Sequence, residues 1–337
     1  MVPTIRDVAQ RAGVSISTVS RVLNKSASVN EGKRKRVEAA AAALGYSPNP
    51  AARSLLGQST GGIGVLLPYI AGDFFSEFLY GIDRVTSDSG YFLVVSSSHR
   101  NVKEFQAVIQ GLNRRVDGLI VMSTEVPAPV VRTWLPADLP IVFANTEVEE
   151  GALEAVNFDN RGGAYRLTEH LVEAGHRRIA FLRGPESSHD AAERLEGFRS
   201  ALRAHGLEPA LELPGDYTME SGQAAVRALL AADPLPTALF AANDLSAYGA
   251  LSGLREAGLD VPSDIALAGF DDIRLAQFAS PSLTTVRVPA REVGQRAIER
   301  LLARIKGANG VPAALQTLPT EVIVRESTAL PVGVPLP

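Results

Sequence analysis

The chain has 337 residues, of which 46% are hydrophobic, and it carries a formal net charge of −4 with no cysteine. This length exceeds one average domain and can bury a substantial core. The lack of cysteine excludes disulfides and thiolate metal sites, and no run of 18 apolar residues or apolar leader indicates membrane insertion or export. We therefore expect a cytoplasmic protein that has no membrane partner.

Residues 4–24 predict two short helices joined by a tight turn. Thr4 can cap the first helix together with Asp7, Gly13 suits the turn, and Ser15 can cap the second helix. The apolar residues repeat at the spacing of one buried face, and they are Ile5, Val8, Ala9, Ala12, Val19, Val22 and Leu23. The outward positions of the second helix are Ile16, Ser17, Ser20 and Arg21. A recognition helix contacts base edges from such positions, although a helical hairpin without a nucleic-acid partner is the alternative.

A third predicted helix concentrates positive charge. Asn30 can cap it, Gly45 can end it, and its apolar stripe is Val37, Ala40, Ala41 and Leu44. Residues 33–36 read KRKR in its first turns, where positive charge opposes the helix dipole. Residues 1–57 hold nine Lys and Arg against three acids, a net charge of +6, so the remainder carries −10. A basic head on an acidic body favours a polyanionic partner, and a solvated charged face is the alternative.

Residues 48–60 predict a short hinge helix followed by a linker. Asn49 can cap this helix with Pro50 at its first position, and 51–56 then allow about two turns before Gly57. A helix this short is marginally stable by itself, which suits a switch. The alternative is a solvated linker whose leucines pack on the body.

From Ile63 onward, short apolar runs alternate with amphipathic segments of helix length. The runs expected as strands buried on both faces are 63–67, 91–95, 118–122, 140–144, 178–182, 237–242 and 264–270. Such runs indicate parallel sheets covered by helices. We therefore predict an all-α helix-turn-helix head and an α/β body of two doubly wound parallel-sheet lobes. Further strands near 283–288 and 315–325 should cross back between the lobes.

The predicted domains follow from this alternation. They are a helix-turn-helix domain at 1–47, the hinge and linker at 48–60, an N-terminal lobe at 61–160 with 289–318, a C-terminal lobe at 161–288 with 319–330, and a tail at 331–337. The tail contains no heptad pattern, so it predicts no tail-mediated tetramer.

Polar and aromatic residues follow several of the predicted strands. Because ligands bind beyond the carboxyl ends of parallel strands, we expect a ligand site in the cleft between the lobes. The candidate ligand-binding residues are Phe74, Phe75, Asn145, Ser188, Asp190, Arg194, Tyr217, Asn243 and Asp271. Their forked side chains can bond adjacent hydroxyls, while an aromatic ring covers the apolar face of a sugar. A buried inter-lobe salt bridge is the alternative for Arg194 and Asp271, and helix-capping or turn-tying roles are favoured for Asp159, Asp244 and Asp272.

Two short patterns suggest an enzyme but stand in the wrong context. Residues 57–61, GQSTG, match a nucleophile elbow yet precede a predicted strand instead of following one. Residues 62–64 lack the third glycine of a dinucleotide fingerprint. The five histidines show no metal-ligand spacing. His189, the one near the cleft, is interpreted as a solvated side chain, with contact to a ligand as the alternative. We expect a non-enzyme without metal or cofactor.

The whole chain resembles the lactose-repressor (LacI/GalR) family of bacterial transcription regulators. The motifs that carry the resemblance occur in the family's order: DVAQRAGVSISTVSRVLN, GYSPNPAARSL, DGLIV, EHLVEAGHRRIAFLRGP, RLEGF, AND and GFDD. The resemblance implies a head that binds near-palindromic double-stranded operator DNA as a homodimer, and a periplasmic-binding-protein-like body that binds a sugar or nucleobase. It also implies sugar contacts by Arg194, Asn243 and Asp271 and aromatic contacts by Phe75 and Tyr217. Asn145 departs from the family, which often has an acid there, so the identity of the sugar is left open.

The expected DNA contacts combine the helical geometry with the resemblance. They are Thr4, Ser15, Ile16, Ser17, Thr18, Ser20, Arg21, Asn24, Arg34, Asn49, Ala52, Arg53 and Leu55. We expect Ile16, Ser17 and Arg21 to read bases. The resemblance aligns Leu55 with a leucine that paired hinge helices wedge into a minor-groove base step, with Ala52 and Arg53 beside it.

These patterns together predict a ligand-responsive transcription regulator, by default a repressor, that acts as a homodimer. Closure of the cleft around a ligand would bias the hinge helix and so couple the two sites. Two alternatives belong to other classes: an intracellular sugar receptor without a regulatory DNA target, and a doubly wound enzyme of sugar metabolism.

Overall fold

A computed structural model describes residues 3–23, 29–46, 59–70, 72–99, 101–113, 115–124, 126–149, 151–307 and 314–329. The chain divides into two compact units, residues 1–60 (the head) and 61–337 (the body). Several predictions lie outside the described residues: the hinge helix at 48–57, the tail at 331–337, and Asn24, Asn49, Ala52, Arg53 and Leu55.

The described part of the head consists of three helices around a small apolar core. The helices are α1 (Ile5–Ala12), α2 (Ile16–Leu23) and α3 (Glu31–Leu44). Gly13 adopts φ +64° between α1 and α2, a left-handed conformation that costs a residue with a Cβ atom. The buried core residues are Val8, Ala9, Ala12, Val19, Val22, Val37, Ala40 and Ala41. The helical faces predicted from the apolar spacing are therefore confirmed.

Short side-chain bonds fix the starts of these helices. Ser15 Oγ accepts the backbone N–H of Thr18 at 3.3 Å, and Asn30 Oδ1 accepts that of Gly32 at 2.9 Å, as predicted. At α1 the carboxylate of Asp7 accepts both the N–H and the hydroxyl of Thr4, each at 2.7 Å. These hydrogen bonds lower the pKa of Asp7 below its usual value.

The N-terminal lobe of the body contains a six-stranded parallel sheet. Its strands are β1 (Gly62–Leu67), β2 (Phe92–Ser97), β3 (Gly118–Val121), β4 (Ile141–Ala144), β5 (Ala155–Phe158) and β11 (Leu315–Leu318). Their order across the sheet is β11-β5-β4-β3-β1-β2. The helices of this lobe are α4 (Asp73–Asp88), α5 (Val102–Leu112), α6 (Ala128–Thr133) and α11 (Ala290–Ile305).

The C-terminal lobe is built around a four-stranded parallel sheet of order β7-β6-β8-β9. These strands are β6 (Ile179–Leu182), β7 (Leu211–Leu213), β8 (Ala238–Ala241) and β9 (Ala266–Ala268). The helices are α7 (Asn160–Glu173), α8 (His189–Ala204), α9 (Met219–Leu230) and α10 (Asp244–Glu256), with short 3₁₀ turns at Arg274–Gln277 and Glu326–Thr328. An antiparallel pair, β10 (Thr285–Arg287) and β12 (Glu321–Ile323), completes the lobe.

Two features of the sheets differ from the sequence prediction. The expectation that the run at 91–95 is buried on both faces is wrong, because β2 lies at the sheet edge and Phe92 is 50% exposed. The apolar pattern also does not predict β5 and β7, since these strands have only four and three residues and each contains a polar residue. The edge position of β2 and the short length of β5 and β7 depend on how each strand pairs with its neighbours. The local pattern of apolar residues contains no information on that pairing.

The chain passes between the lobes after β5, after β10 and after β11. The first and last of these crossovers are hydrogen bonded to each other. Thr320 Oγ1 donates to the carbonyl of Asp159 at 3.0 Å, and Arg166 Nη2 donates to the carbonyl and hydroxyl oxygens of Thr320 at 3.0 and 2.8 Å. The two crossovers are therefore bonded to each other just beyond the carboxyl ends of β5 and β11. No helix within the described ranges is long and apolar enough to span a membrane.

Candidate ligand cavity and DNA-binding face

A cavity of about 530 Å³ lies between the two lobes of the body. All nine predicted ligand-binding residues line it, namely Phe74, Phe75, Asn145, Ser188, Asp190, Arg194, Tyr217, Asn243 and Asp271. Further lining residues were not predicted, and they include Tyr69, Met122, Thr124, Phe158, Asp216, Thr218, Met219, Glu220, Leu245, Ile273 and Leu275. The carboxyl-end rule could have found Phe158, which ends β5, had that strand been recognised.

Arg194 is held by several bonds in the cavity. It is buried on α8, where Nε donates to Asn160 Oδ1 at 2.9 Å and Nη1 donates to the carbonyl of Ala242 at 2.7 Å. Nη2 lies 3.3 Å from Asp271 Oδ1, and the guanidinium carbon lies 3.9 Å from the ring centroid of Phe270. These bonds hold a positive charge in a fixed orientation at the base of the cavity.

The ion pair of Arg194 and Asp271 differs from the predicted alternative. The ion pair of that alternative is present, but both residues belong to the C-terminal lobe, Arg194 on α8 and Asp271 just after β9, so its placement between the lobes is wrong. Burial raises the pKa of Asp271 to about 6, although Arg194 opposes the shift. The pair therefore belongs to one wall of the cavity, and other residues form the contacts between the lobes.

Three amide and carboxylate side chains connect the lobes. Asn145, at the end of β4, donates from Nδ2 to Asp190 Oδ2 at 2.6 Å, which joins the N-terminal lobe to α8. Asn160 Nδ2 donates to Asn145 Oδ1 at 3.2 Å while its own Oδ1 accepts from Arg194. Asn160 is not among the residues predicted from the sequence, and its position directly after Asp159 at the first crossover was the available signal. A continuous buried network thus runs from β4 to the Arg194–Asp271 pair.

His189 forms a second link between the lobes. Its backbone N–H donates to the carbonyl of Thr124 at 3.4 Å, and its Nδ1 lies 3.5 Å from Glu147 Oε2. The imidazole is partly covered, so its interpretation as a merely solvated side chain is wrong. The N-terminal end of α8 therefore contacts the N-terminal lobe through both His189 and Asp190.

Two of the predicted ligand residues also cap helices. Ser188 Oγ accepts a backbone N–H of α8 at 3.4 Å, and Asn243 Oδ1 accepts one of α10 at 2.9 Å. Asn243 Nδ2 further donates to the carbonyl of Tyr217 at 3.2 Å. These bonds fix the two side chains at the cavity wall.

Three further aspartates have structural roles, of which that of Asp159 is the predicted helix cap. Asp159 caps α7 by accepting a backbone N–H at 2.7 Å, and Asp272 forms ion pairs with two arginines at 2.6 and 2.8 Å. Asp244 is fully buried and accepts the hydroxyl of Thr285 at 2.6 Å. Burial, and then the nearby charge of Asp271, raises the pKa of Asp244 well above its usual value.

Aromatic rings form the opposite wall, on the N-terminal lobe. Phe74 packs edge-to-face on Phe75 and Phe158 with centroid distances of 5.2 and 5.8 Å, and Tyr69 lies 6.4 Å from Phe75. Such a wall can cover the apolar face of a sugar while the polar wall bonds its hydroxyls. Among the described residues, no cluster of three or more His, Asp or Glu side chains is placed to hold a metal ion.

In the head, α2 has one buried and one exposed face. Val19 and Val22 are in the core, whereas Ile16 is 45% exposed and Ser17 and Arg21 are also exposed. Of the other predicted DNA contacts, Thr4 and Ser15 are exposed and Thr18, Ser20 and Arg34 are half-buried. The exposed face of α2 thus offers one apolar, one hydroxyl and one guanidinium group.

Comparison with known proteins assigns both units. The family model "Bacterial regulatory proteins, lacI family" matches residues 4–49, and the "Periplasmic binding protein-like domain" matches residues 168–328. The HTH-type transcriptional repressor CytR of Escherichia coli (strain K12) is 36% identical over 332 residues, which cover 97% of each chain. The ribose operon repressor of the same strain is 38% identical and covers 90% of this chain and 93% of its own. These relatives are named as repressors and not as enzymes.

Solved structures agree with this assignment. The lac repressor dimer bound to operator and the anti-inducer ONPF has a TM-score of 0.86 at 33% identity, covering 97% of this chain and 99% of its own. The complex of the transcriptional regulator CelR with cellobiose has a TM-score of 0.74 at 34% identity, covering 96% and 99%. The predicted fold class, a helix-turn-helix head with a periplasmic-binding-like body of parallel sheets, is confirmed. The chain belongs to the LacI family of bacterial regulatory proteins.

Proposed function

We propose that this protein represses transcription by binding a near-palindromic operator as a homodimer, and that a sugar or sugar derivative between its lobes controls this binding. The observation that carries the proposal is the exposed face of α2. Ile16 is 45% exposed on α2 beside the exposed Ser17 and Arg21, while Val19 and Val22 are buried, and its apolar side chain can contact a thymine methyl. The lac repressor dimer, a relative of similar structure, was solved on operator DNA.

The proposed DNA contacts divide into two kinds. Ile16, Ser17 and Arg21 read base edges in the major groove, where arginine can bond guanine through two N–H groups. The residues proposed to position the head on phosphates are Thr4, Ser15, Thr18, Ser20 and Arg34. The family resemblance adds five residues to the proposed interface, namely Asn24, Asn49, Ala52, Arg53 and Leu55. Of these, Ala52, Arg53 and Leu55 would enter the minor groove.

The proposed effector site is the cavity between the two lobes of the body. The polar wall around Arg194 and Asp271 would bond sugar hydroxyls and the rings around Phe74 would cover the sugar, without turnover of the ligand. A related LacI family regulator from Enterococcus faecium, 29% identical with a TM-score of 0.71, was solved with bound ribose. Closure of the lobes would bias the predicted hinge helix at 48–57, with a coupling of about 1–3 kcal/mol. Because the target is bacterial operator DNA, we place the protein in the cytoplasm.

Operator binding can be tested with duplexes obtained by binding-site selection, using fluorescence anisotropy at fixed salt. We expect a sequence-specific, salt-dependent affinity that a bound sugar changes. Arg21→Ala should cost about 1–3 kcal/mol and relax the preference at one base pair. Arg227→Ala, an exposed arginine on α9, is the matched control and should leave binding unchanged. A wild-type protein that prefers no duplex over random competitor would contradict the proposal.

A further inference from the structure

The first residue of the body, Gly61, is bonded to groups that belong to the strands on both sides of β1. Its backbone N–H donates to Asp117 Oδ2 at 2.8 Å, and its carbonyl accepts the N–H of Phe92 at 2.9 Å. The next carbonyl, that of Gly62, accepts the backbone N–H of Asp117 at 2.8 Å. Asp117 therefore holds the start of the body with both its side chain and its backbone.

The side-chain bond from Asp117 extends the ordered backbone beyond the paired strands. Pairing of β1 with β2 begins at Gly62 and pairing with β3 begins at Ile63, so the N–H of Gly61 precedes both registers. A carboxylate is a strong acceptor for this N–H. Gly61 also adopts φ +74°, a left-handed conformation that turns the chain where it enters the body from the predicted linker at 48–60. We call Gly61, Asp117 and the backbone N–H of Phe92 the anchor.

Strand β3 connects the anchor to the cavity. Asp117 directly precedes β3, the side chains of residues 119–121 are fully buried, and Met122 and Thr124 at the carboxyl end line the cavity. The carbonyl of Thr124 also accepts the backbone N–H of His189 from the C-terminal lobe at 3.4 Å. The strand covers about 17 Å between Asp117 and Met122. Because a closely packed strand moves as a unit, the position of Asp117 follows that of the cavity wall.

We propose that Asp117 is a positioning residue for operator binding, because it fixes the place and direction at which the linker leaves the body. This inference rests on the proposed function, since it names the residue that ties operator affinity to the position of β3. Without the bond, the N–H of Gly61 loses its acceptor and the start of the linker adopts more conformations. DNA binding then has to restrict those conformations, which lowers the affinity.

The first test measures operator affinity of full-length variants by fluorescence anisotropy at fixed salt. The duplexes come from binding-site selection with the wild-type protein, carried out with and without ribose, glucose and cellobiose. Asp117→Ala should bind the selected duplex about tenfold more weakly than wild type. Asp117→Asn keeps an acceptor oxygen for the N–H of Gly61, so its affinity should stay within about twofold of wild type. Asp138→Ala, at an exposed aspartate shortly before β4 of the same sheet, is the matched control and should bind like wild type.

A pair of glycine variants separates the direction of the linker from a general loss of stability. Gly61 and Gly151 have the same left-handed backbone, with φ +74° and +77°. A Cβ atom at Gly61 would lie 3.8 Å from the ring of Phe92, an ordinary contact, and one at Gly151 would meet nothing within 4 Å. Gly61→Ala and Gly151→Ala should therefore lower the melting temperature by a similar amount, about 2–4 °C. Only Gly61→Ala should also weaken operator binding, by about fivefold.

Three results would overturn the positioning role: wild-type operator affinity in Asp117→Ala, an equal loss in Asp117→Asn and Asp117→Ala, or equal operator affinity in the two glycine variants. If Asp117→Ala does not fold, the glycine pair still decides. A wild-type protein that prefers no duplex contradicts the proposed function itself. A wild-type protein that binds its selected duplex no better than Asp117→Ala does leaves that function standing and refutes only the role of Asp117.

Discussion

The two lobes of the body share a doubly wound architecture but differ in what they bury. Among the described residues, the buried ionisable side chains are His176, Asp190, Arg194 and Asp244, and all of them belong to the C-terminal lobe. In the described part of the N-terminal lobe, the buried polar residues are uncharged, for example Thr86, Ser97 and Asn145. The cavity shows a similar division, since the rings of Phe74, Phe75 and Phe158 lie on the N-terminal lobe and the Arg194–Asp271 ion pair lies on the C-terminal lobe. Sensitivity to charge and pH should therefore reside in the C-terminal lobe.

Arg194→Ala should have the largest effect, because it removes the buried cation of the C-terminal lobe. The substitution leaves Asp271 and Asn160 without their cationic partner in a buried site, which typically costs about 3–5 kcal/mol of stability. It should also abolish the thermal stabilisation produced by a bound effector. Urea unfolding and thermal-shift titration measure the two effects.

A double variant separates the ion pair from the ligand contact. Arg194→Ala with Asp271→Asn removes both charges, so it should regain part of the lost stability but none of the binding. Arg227→Ala on the surface of α9 serves as the control for a lost arginine. A single variant as stable as wild type would show that the buried pair does not hold this wall together.

His176 should make the C-terminal lobe sensitive to acid. It is 2% exposed in the turn between α7 and β6, and burial lowers its pKa to about 4 from 6.5. Because the unfolded chain takes up a proton below pH 6.5 and the folded chain does so only near pH 4, this contribution to stability falls as pH falls through that window. Between pH 7.5 and 4.5 the loss should be about 2–3 kcal/mol.

The measurement is urea unfolding of wild type and His176→Gln at both pH values. Relative to wild type, the variant should gain stability at pH 4.5 by the amount that wild type loses through this group. His205→Gln, at an exposed histidine, should show no such gain. An equal stability difference at the two pH values would rule out His176 as the source.

Asn145→Asp should have a smaller effect, at the contact that joins the two lobes. Asn145 Nδ2 donates to Asp190 Oδ2 at 2.6 Å, so an aspartate would set two carboxylates against each other between the lobes. Their repulsion should raise the pKa of the pair and weaken effector binding by about 1–2 kcal/mol at pH 7.5, with recovery near pH 5 as one of them is protonated.

The test is titration at the two pH values with a sugar that raises the melting temperature of the wild-type protein in a thermal-shift screen. Asn101→Asp, at the cap of α5, is the control, because aspartate caps a helix as well as asparagine does. Unchanged affinity at pH 7.5 would mean that the contact between Asn145 and Asp190 does not contribute to the bound state. The same contact gives a physical reason for this chain to have an amide where the family often has an acid.

The candidate site was largely predictable because its residues follow strands. Asp271 follows β9, Asn243 follows β8 and Asn145 follows β4, so the carboxyl-end rule places them at one cavity without any knowledge of their contacts. Asn160 and Phe158 could not be found in this way, because the short strand β5 that positions them has no apolar run long enough to recognise. The DNA contacts at 49–55 stay predictions.

The features that follow from the amino-acid sequence alone are local: the helical faces around Val8 and Val19, the caps at Ser15 and Asn30, and most of the buried parallel strands. These features arise from spacing and composition within a few residues, where backbone periodicity acts directly. Two contacts depend on the tertiary structure: Arg194 pairs with Asp271 within one lobe, and Asn145 bonds to Asp190 across the two lobes. Those partners are far apart along the chain, and the free energy of a buried charge depends on which groups packing brings within hydrogen-bond distance.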